Sequence, residues 1–214
     1  MHNRFKLKQA LLALAVVLVP ILIYGQTQSG ALDPSFGSGG KAINDFGGRI
    51  ALLPDGKMVA AGGASAADGF DFALSRFNAN GTVDTTFGSG GRVTTDLGGR
   101  FEGASSIAVQ PDGKIVTGGY AVVPINQFAN FALVRYNSDG SLDLSFGTGG
   151  KVLTNFGNIS AQAYSMALQP DGKIVLAGYV NFNGSESFAL ARYNTDGTLD
   201  AGFGTGGKVH TEFG

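Results

Sequence analysis

The sequence predicts an all-β fold: a β-propeller-like array of three four-stranded antiparallel blades plus one extra N-terminal strand, an incomplete propeller. Three observations predict it. A turn-centred stretch occurs three times, as Leu52 to Gly63, Val109 to Tyr120 and Leu168 to Tyr179. Its prolines, Pro54, Pro111 and Pro170, are 57 and 59 residues apart, a period that suits a four-stranded propeller blade. After residue 25 no window carries the apolar spacing of an amphipathic helix.

Each element follows from the second unit. Strand A covers about Ser106 to Gln110, and Pro111-Asp112-Gly113 is its turn. Proline presets φ at the first turn position, and glycine takes the left-handed one. Strand B runs from Lys114 to about Tyr120, with Val109 opposite Ile115. Ile115 and Val116 point to opposite faces, so a strand apolar at both must be covered on both, as stacked blades are. Strand C is Phe131 to Asn137, followed by the turn Ser138-Asp139-Gly140. That register sets Tyr136 opposite Leu142 and Arg135 opposite Asp143. The spacing recurs for Arg76 with Asp84 and Arg192 with Asp200, so one Arg–Asp pair is expected inside every blade. A glycine-rich bend, Phe146 to Gly150, leads to strand D at Lys151 to Phe156. The same bend occurs four times, first at Phe36 to Gly40, which supplies the extra leading strand.

The expected organisation is a signal peptide at 1–25, a leading strand at 31–48, and blades at about 49–98, 103–157 and 160–214. Arg4, Lys6 and Lys8 head an apolar run from Ala10 to Tyr24, the length of a signal-peptide core rather than of a membrane span. The body is therefore expected to be secreted, on the cell surface or in the periplasm, with no membrane contact after cleavage. Without that segment the charge is 12 basic against 16 acidic residues, with no basic stripe, which argues against nucleic acid. There is no cysteine, so the fold depends on its core without disulfides. Phe36 to Pro54 is 18 residues, whereas the two later intervals are 24, so strand A of the first blade should be short or distorted.

The Gln-Pro-Asp-Gly-Lys-Ile-Val hairpin, the Phe-Ala-Leu-Ala-Arg-Tyr-Asn strand and the Leu-Asp…Phe-Gly-Thr-Gly-Gly-Lys-Val segment resemble the delta-60 repeat family over residues 31–214. The resemblance implies propeller-type repeats of exported bacterial proteins, and it carries over no catalytic residue or ligand.

Little in the chain suggests catalysis. His210 is the one histidine after residue 25, and it falls in a strand-D slot. A triad, a zinc site and an Asp-x-Asp-x-Asp-Gly calcium loop all lack their residues. The Gly-Gly bends are not followed by the helix that a phosphate loop needs. No catalytic residue, metal or cofactor is expected. Binding is expected where the copies differ, in the segments joining strands B and C. These offer Asp68, Phe70 and Asp71; Asn126, Phe128 and Asn130; and Phe182, Asn183 and Glu186. Aromatic rings beside amides suit a glycan or a peptide. Asn80, Asn158 and Asn183 match glycosylation acceptors.

The expected function is thus a non-enzymatic exported module whose loop face binds a glycan or protein or serves in surface display. The alternatives are a purely structural segment of a larger surface protein and, less favoured, a propeller hydrolase. Open blade edges would allow self-association.

Overall fold

Alternating apolar strands and turns of the x-Asp-Gly or x-Asn-Gly kind build three four-stranded antiparallel blades, the first two joined into one eight-stranded sheet by a parallel pair. The computed structural model describes residues 30–124, 128–157, 159–182 and 184–211. The first blade comprises β1 (Gly48–Leu52), β2 (Met58–Ala66), β3 (Gly69–Phe77) and β4 (Arg92–Thr95). The second comprises β5 (Phe101–Val109), β6 (Ile115–Val122), β7 (Ala129–Tyr136) and β8 (Lys151–Thr154). The third comprises β9 (Ser160–Leu168), β10 (Ile174–Phe182), β11 (Ser185–Tyr193) and β12 (Lys208–Thr211). The expected signal peptide at 1–25 lies outside the described residues.

Registers follow the turns. Val109 pairs with Ile115, and Gln110 N–H donates to Lys114 O at 2.8 Å across Pro111-Asp112-Gly113. Gly113 has φ +83°, the left-handed geometry that the turn requires. Tyr136 pairs with Leu142, and Asp143 N–H donates to Arg135 O.

The core lies between blades. Val59, Phe72, Leu74 and Phe87 of the first blade pack against Ile115, Ala132, Val134 and Tyr136 of the second. Val116, Phe131, Leu133 and Phe146 of the second pack against Ile174, Leu176, Ala189 and Tyr193 of the third. Neighbours Ile115 and Val116 thus enter different cores, as strand geometry demands. Every residue of β7 is buried, whereas β11 alternates, because among the described residues the third blade has a neighbour on one face only. Phe188 is 44% exposed where Phe131 is fully buried. That difference withholds part of the roughly 1.5–3 kcal/mol that full burial of such a side chain contributes.

Three features differ from the sequence reading. Strand A starts five residues earlier than expected, at Phe101. A bulge at Ser105 shifts the register and hides the two-residue alternation. The bulged strand comes so close to β6 that a Cβ on Gly119 would lie 1.9 Å from Gly103 O. Second, the B–C segments expected as loops are largely strand: β2 and β3 leave only Ala67 and Asp68 between them. Third, no strand forms between Leu32 and Gly47; the leading segment keeps only its bend, with a bridge between Gly37 and Lys41. Each strand D pairs with strand C of its own blade, as β8 does with β7. Among the described residues the leading segment has no such partner. Its Phe46 instead packs against Ala64 and Ala73. In the first blade β1 has five residues, against nine for β5 and β9, in line with the six-residue shortfall before it.

Candidate functional site

At the end of the blades where strand A begins, Phe70 and Phe101 meet. Phe70 N–H donates to Arg100 O, and the two phenylalanines pair in parallel, joining β3 of the first blade to β5 of the second. Phe70 is 45% and Phe101 55% exposed. They line a cleft of about 520 Å³ together with Arg49, Glu102, Tyr120 and Tyr164. Tyr164 occupies the bulge of β9, so the bulge aims its ring into the cleft. Its ring lies 5.7 Å from that of Tyr179. Burial and the neighbouring Tyr164 push the Tyr179 hydroxyl up to about 12. Arg49 is held at the rim by its Nε donating to Ser105 O at 3.1 Å.

Two other grooves, of about 650 and 620 Å³, occupy corresponding positions, each between strand D of one blade and the turn after strand C of the next, around Leu153 and around Thr94. They recur as the fold recurs. The aromatic cleft does not: Phe101 and Tyr164 correspond to Ser160 and Ser105 in the neighbouring copy, and only Tyr120 keeps its counterpart, Tyr179.

Beside the cleft, carboxylate oxygens of Asp71, Asp96 and Glu102 lie within 4.8 Å of one another. Glu102 is buried, and its carboxylate accepts from Leu97 N–H at 2.9 Å and Gly99 N–H at 2.7 Å. Burial outweighs those hydrogen bonds and raises its pKa to about 7. Burial likewise raises that of Asp71, with Asp96 and Asp68 adding repulsion. At the next junction the corresponding residues are Asn130, Asn155 and Ala161, and Asn155 Nδ2 donates to Asn130 Oδ1 at 3.1 Å. The acidic trio anchors the backbone turn at Asp96 to Gly99 through Glu102.

The expected binding residues therefore separate. Phe70 reaches the cleft. Asp68 is exposed in the β2–β3 turn, and Phe182 and Glu186 are exposed near the β10–β11 turn. Asp71 joins the acidic trio. Phe128 is half-buried, and its carbonyl accepts from Asn130 Nδ2. Asn130 corrects the sequence reading: it is buried in β7 with its amide bonded internally, because its strand extends into the expected loop. Asn126 and Asn183 lie outside the described residues, as does Asn158. Reading the sequence missed Phe101, Tyr120, Tyr164 and Arg49, since no spacing along the chain signals convergence from different blades.

The charged pairs form a separate, interior set. Arg76, Arg135 and Arg192 each donate from Nε to Asp84, Asp143 and Asp200 at 2.7 Å. Each carboxylate also meets the turn lysine, Lys57 at 2.8 Å and Lys114 and Lys173 at 2.9 Å. The constant lysine after each Asp-Gly was the signal for this third member. Each guanidinium also lies over a phenylalanine: Phe87, Phe146 and Phe203. Asp84 is held well below the usual carboxylate range by Lys57 and Thr86. For Asp143, burial opposes ionisation but is outweighed by hydrogen bonds from Ser145, Lys114 and Arg135. Threefold repetition gives these triads a structural role.

A family model described as a beta-propeller domain of unknown function (DUF5122) matches residues 53–87, 110–146 and 169–203. The chain belongs to this family. Its three matched units are the delta-60 type of repeat, and each runs from the A–B turn through strands B and C to the phenylalanine that opens the following bend. The cleft residues Phe101 and Tyr164 fall between the matched segments of this beta-propeller repeat, outside its shared pattern. No curated protein matches the chain.

Proposed function

We propose that this chain is a non-enzymatic, exported binding module that takes a glycan in the cleft formed by Phe70, Phe101, Tyr120 and Tyr164. The observation that carries the reading is the convergence of exposed aromatic rings at a cleft whose Phe101 and Tyr164 are not repeated in the neighbouring copy. Aromatic faces stack on the apolar faces of sugar rings, while Arg49 and the tyrosine hydroxyls supply directional hydrogen bonds. A non-enzymatic role is favoured because the nearby Glu102 is bonded to backbone N–H groups, and His210 lies on β12, outside the cleft lining. Export rests on the charged head and short apolar run of residues 1–25.

A glycan array probed with the chain from Gln26 to Gly214 tests this. Binding lost on Phe101→Ala or Tyr164→Ala, with an unchanged melting profile, supports it. Binding that survives both changes, or selective binding to a peptide array instead, overturns it. A second reading, a structural segment of a larger surface protein, is favoured by the uncovered face of the third blade.

A further inference from the structure

The two junctions between blades use one set of contacts. Where the first blade meets the second, Arg76 Nη1 donates to Ser138 O at 2.5 Å and Gly88 N–H to Asp139 O at 2.8 Å. Tyr136 Oη donates to Thr95 Oγ1 at 2.9 Å, and the Phe87 ring underlies Gly140. Where the second meets the third, Arg135 Nη1 donates to Thr195 O at 2.6 Å and Gly147 N–H to Asp196 O at 2.7 Å. Tyr193 and Thr154 hydroxyls meet at 2.7 Å, and the Phe146 ring underlies Gly197. Each junction thus joins an Arg, a Phe-Gly bend and a Thr on one blade to an x-Asp-Gly turn and a Tyr on the next.

The outer face of the third blade keeps the first half of that set. Arg192 is poised over the Phe203 ring at 4.5 Å, with Nε on Asp200. Its side chain is 23% exposed, against 9% and 8% for Arg76 and Arg135. Phe203 is half-buried where Phe87 and Phe146 are fully buried, and Thr211 is exposed where Thr95 and Thr154 are buried. Among the described residues, Arg192 Nη1 and Gly204 N–H meet no turn carbonyl. Phe188 is exposed on the same face, in the position of the buried Phe131.

The inner face of the first blade does not complement this set. Gly37 N–H already donates to Asn80 O at 2.7 Å, and the Phe36 ring already underlies Gly81. Phe77 stands where Tyr136 and Tyr193 stand and has no hydroxyl to offer Thr211.

We propose that the outer face of the third blade docks one further blade of this same repeat, with a tyrosine ending its third strand and an x-Asp-Gly turn, and does not dock the first blade of a second copy. The occupant is defined by continuity with two established interfaces: Arg192 Nη1 and Gly204 N–H require two turn carbonyls, and Thr211 requires a phenol.

The probe is a second copy of residues 158–214 joined after Gly214 of the full chain. Docking predicts a single unfolding transition at a higher midpoint and Gly204 N–H exchange slowed by about tenfold or more. Arg192→Gln, or Tyr193→Phe made only in the added blade, reduces that protection while β7 amides stay protected. An added blade that melts separately, with Gly204 exchanging as in the unextended chain, overturns the proposal. So does a stable dimer of the unextended chain in which Gly204 N–H is already protected, since that makes a second copy the occupant.

Discussion

Arg135 and Thr195, sixty positions apart, are joined by a hydrogen bond of 2.6 Å from Nη1 to the backbone carbonyl. The same guanidinium holds Asp143 within its own blade. One side chain therefore ties strand pairing inside a blade to stacking between blades.

Asp143→Asn should destabilise the chain by about 3–5 kcal/mol, since it leaves Arg135 buried without its counter-charge. The folded carboxyl titrates below its unfolded value near 3.8. Its contribution is therefore complete above that pH and fades as pH falls through the folded value. Chemical denaturation at pH 7 should show the full deficit, and the gap between variant and parent should narrow below about pH 4.

Gly140 and Gly149 both have positive φ, but only Gly140 is crowded. A Cβ at Gly140 would stand 2.9 Å from the Phe87 ring, whereas one at Gly149 meets nothing within 4 Å. Gly140→Ala should lower the melting midpoint clearly more than Gly149→Ala, since the first adds overpacking of about 1–3 kcal/mol to backbone strain. Equal losses in calorimetry would show that the blade junction yields easily.

Glu102 titrates in the opposite sense from Asp143. Its folded pKa is raised to about 7 by burial, so the folded state binds its proton more tightly than the unfolded chain. This favours folding below pH 4.5 and is lost as pH rises from there to about 7. The melting midpoint should therefore decline between pH 5 and pH 8, and Glu102→Gln should flatten that slope. A slope unchanged in the variant would assign the titration elsewhere.

Phe101→Ala should leave the unfolding free energy within about 0.5 kcal/mol of the parent, and the melting midpoint close to it, since the ring is 55% exposed. Differential scanning fluorimetry checks this. A large loss would mean that the Phe70–Phe101 contact holds the first two blades together rather than presenting a surface.

Much of the fold is legible in the chain because its signals are local. The Pro111-Asp112-Gly113 turn sets the pairing of Val109 with Ile115, and a spacing of eight positions brings Arg135 and Asp143 across one hairpin. The B–C ribbons were not legible as strands, because Ala64 to Asp71 has no β-branched alternation and is held by pairing with its partner strand. The candidate site was least legible. Phe70 shows in the sequence as a variable aromatic, but its neighbours Phe101 and Tyr164 come from other blades, one of them through a bulge.

By itself the sequence determined the repeat, its turns, its strand registers and the charged pair inside each blade. Each of these depends on residues within one hairpin, where spacing along the chain is distance in space. Only the tertiary structure decided which aromatic rings converge, where three carboxylates crowd together, and which blade face stays uncovered. Those depend on how successive blades rotate and stack, and residues near 57 apart carry no local mark of that contact.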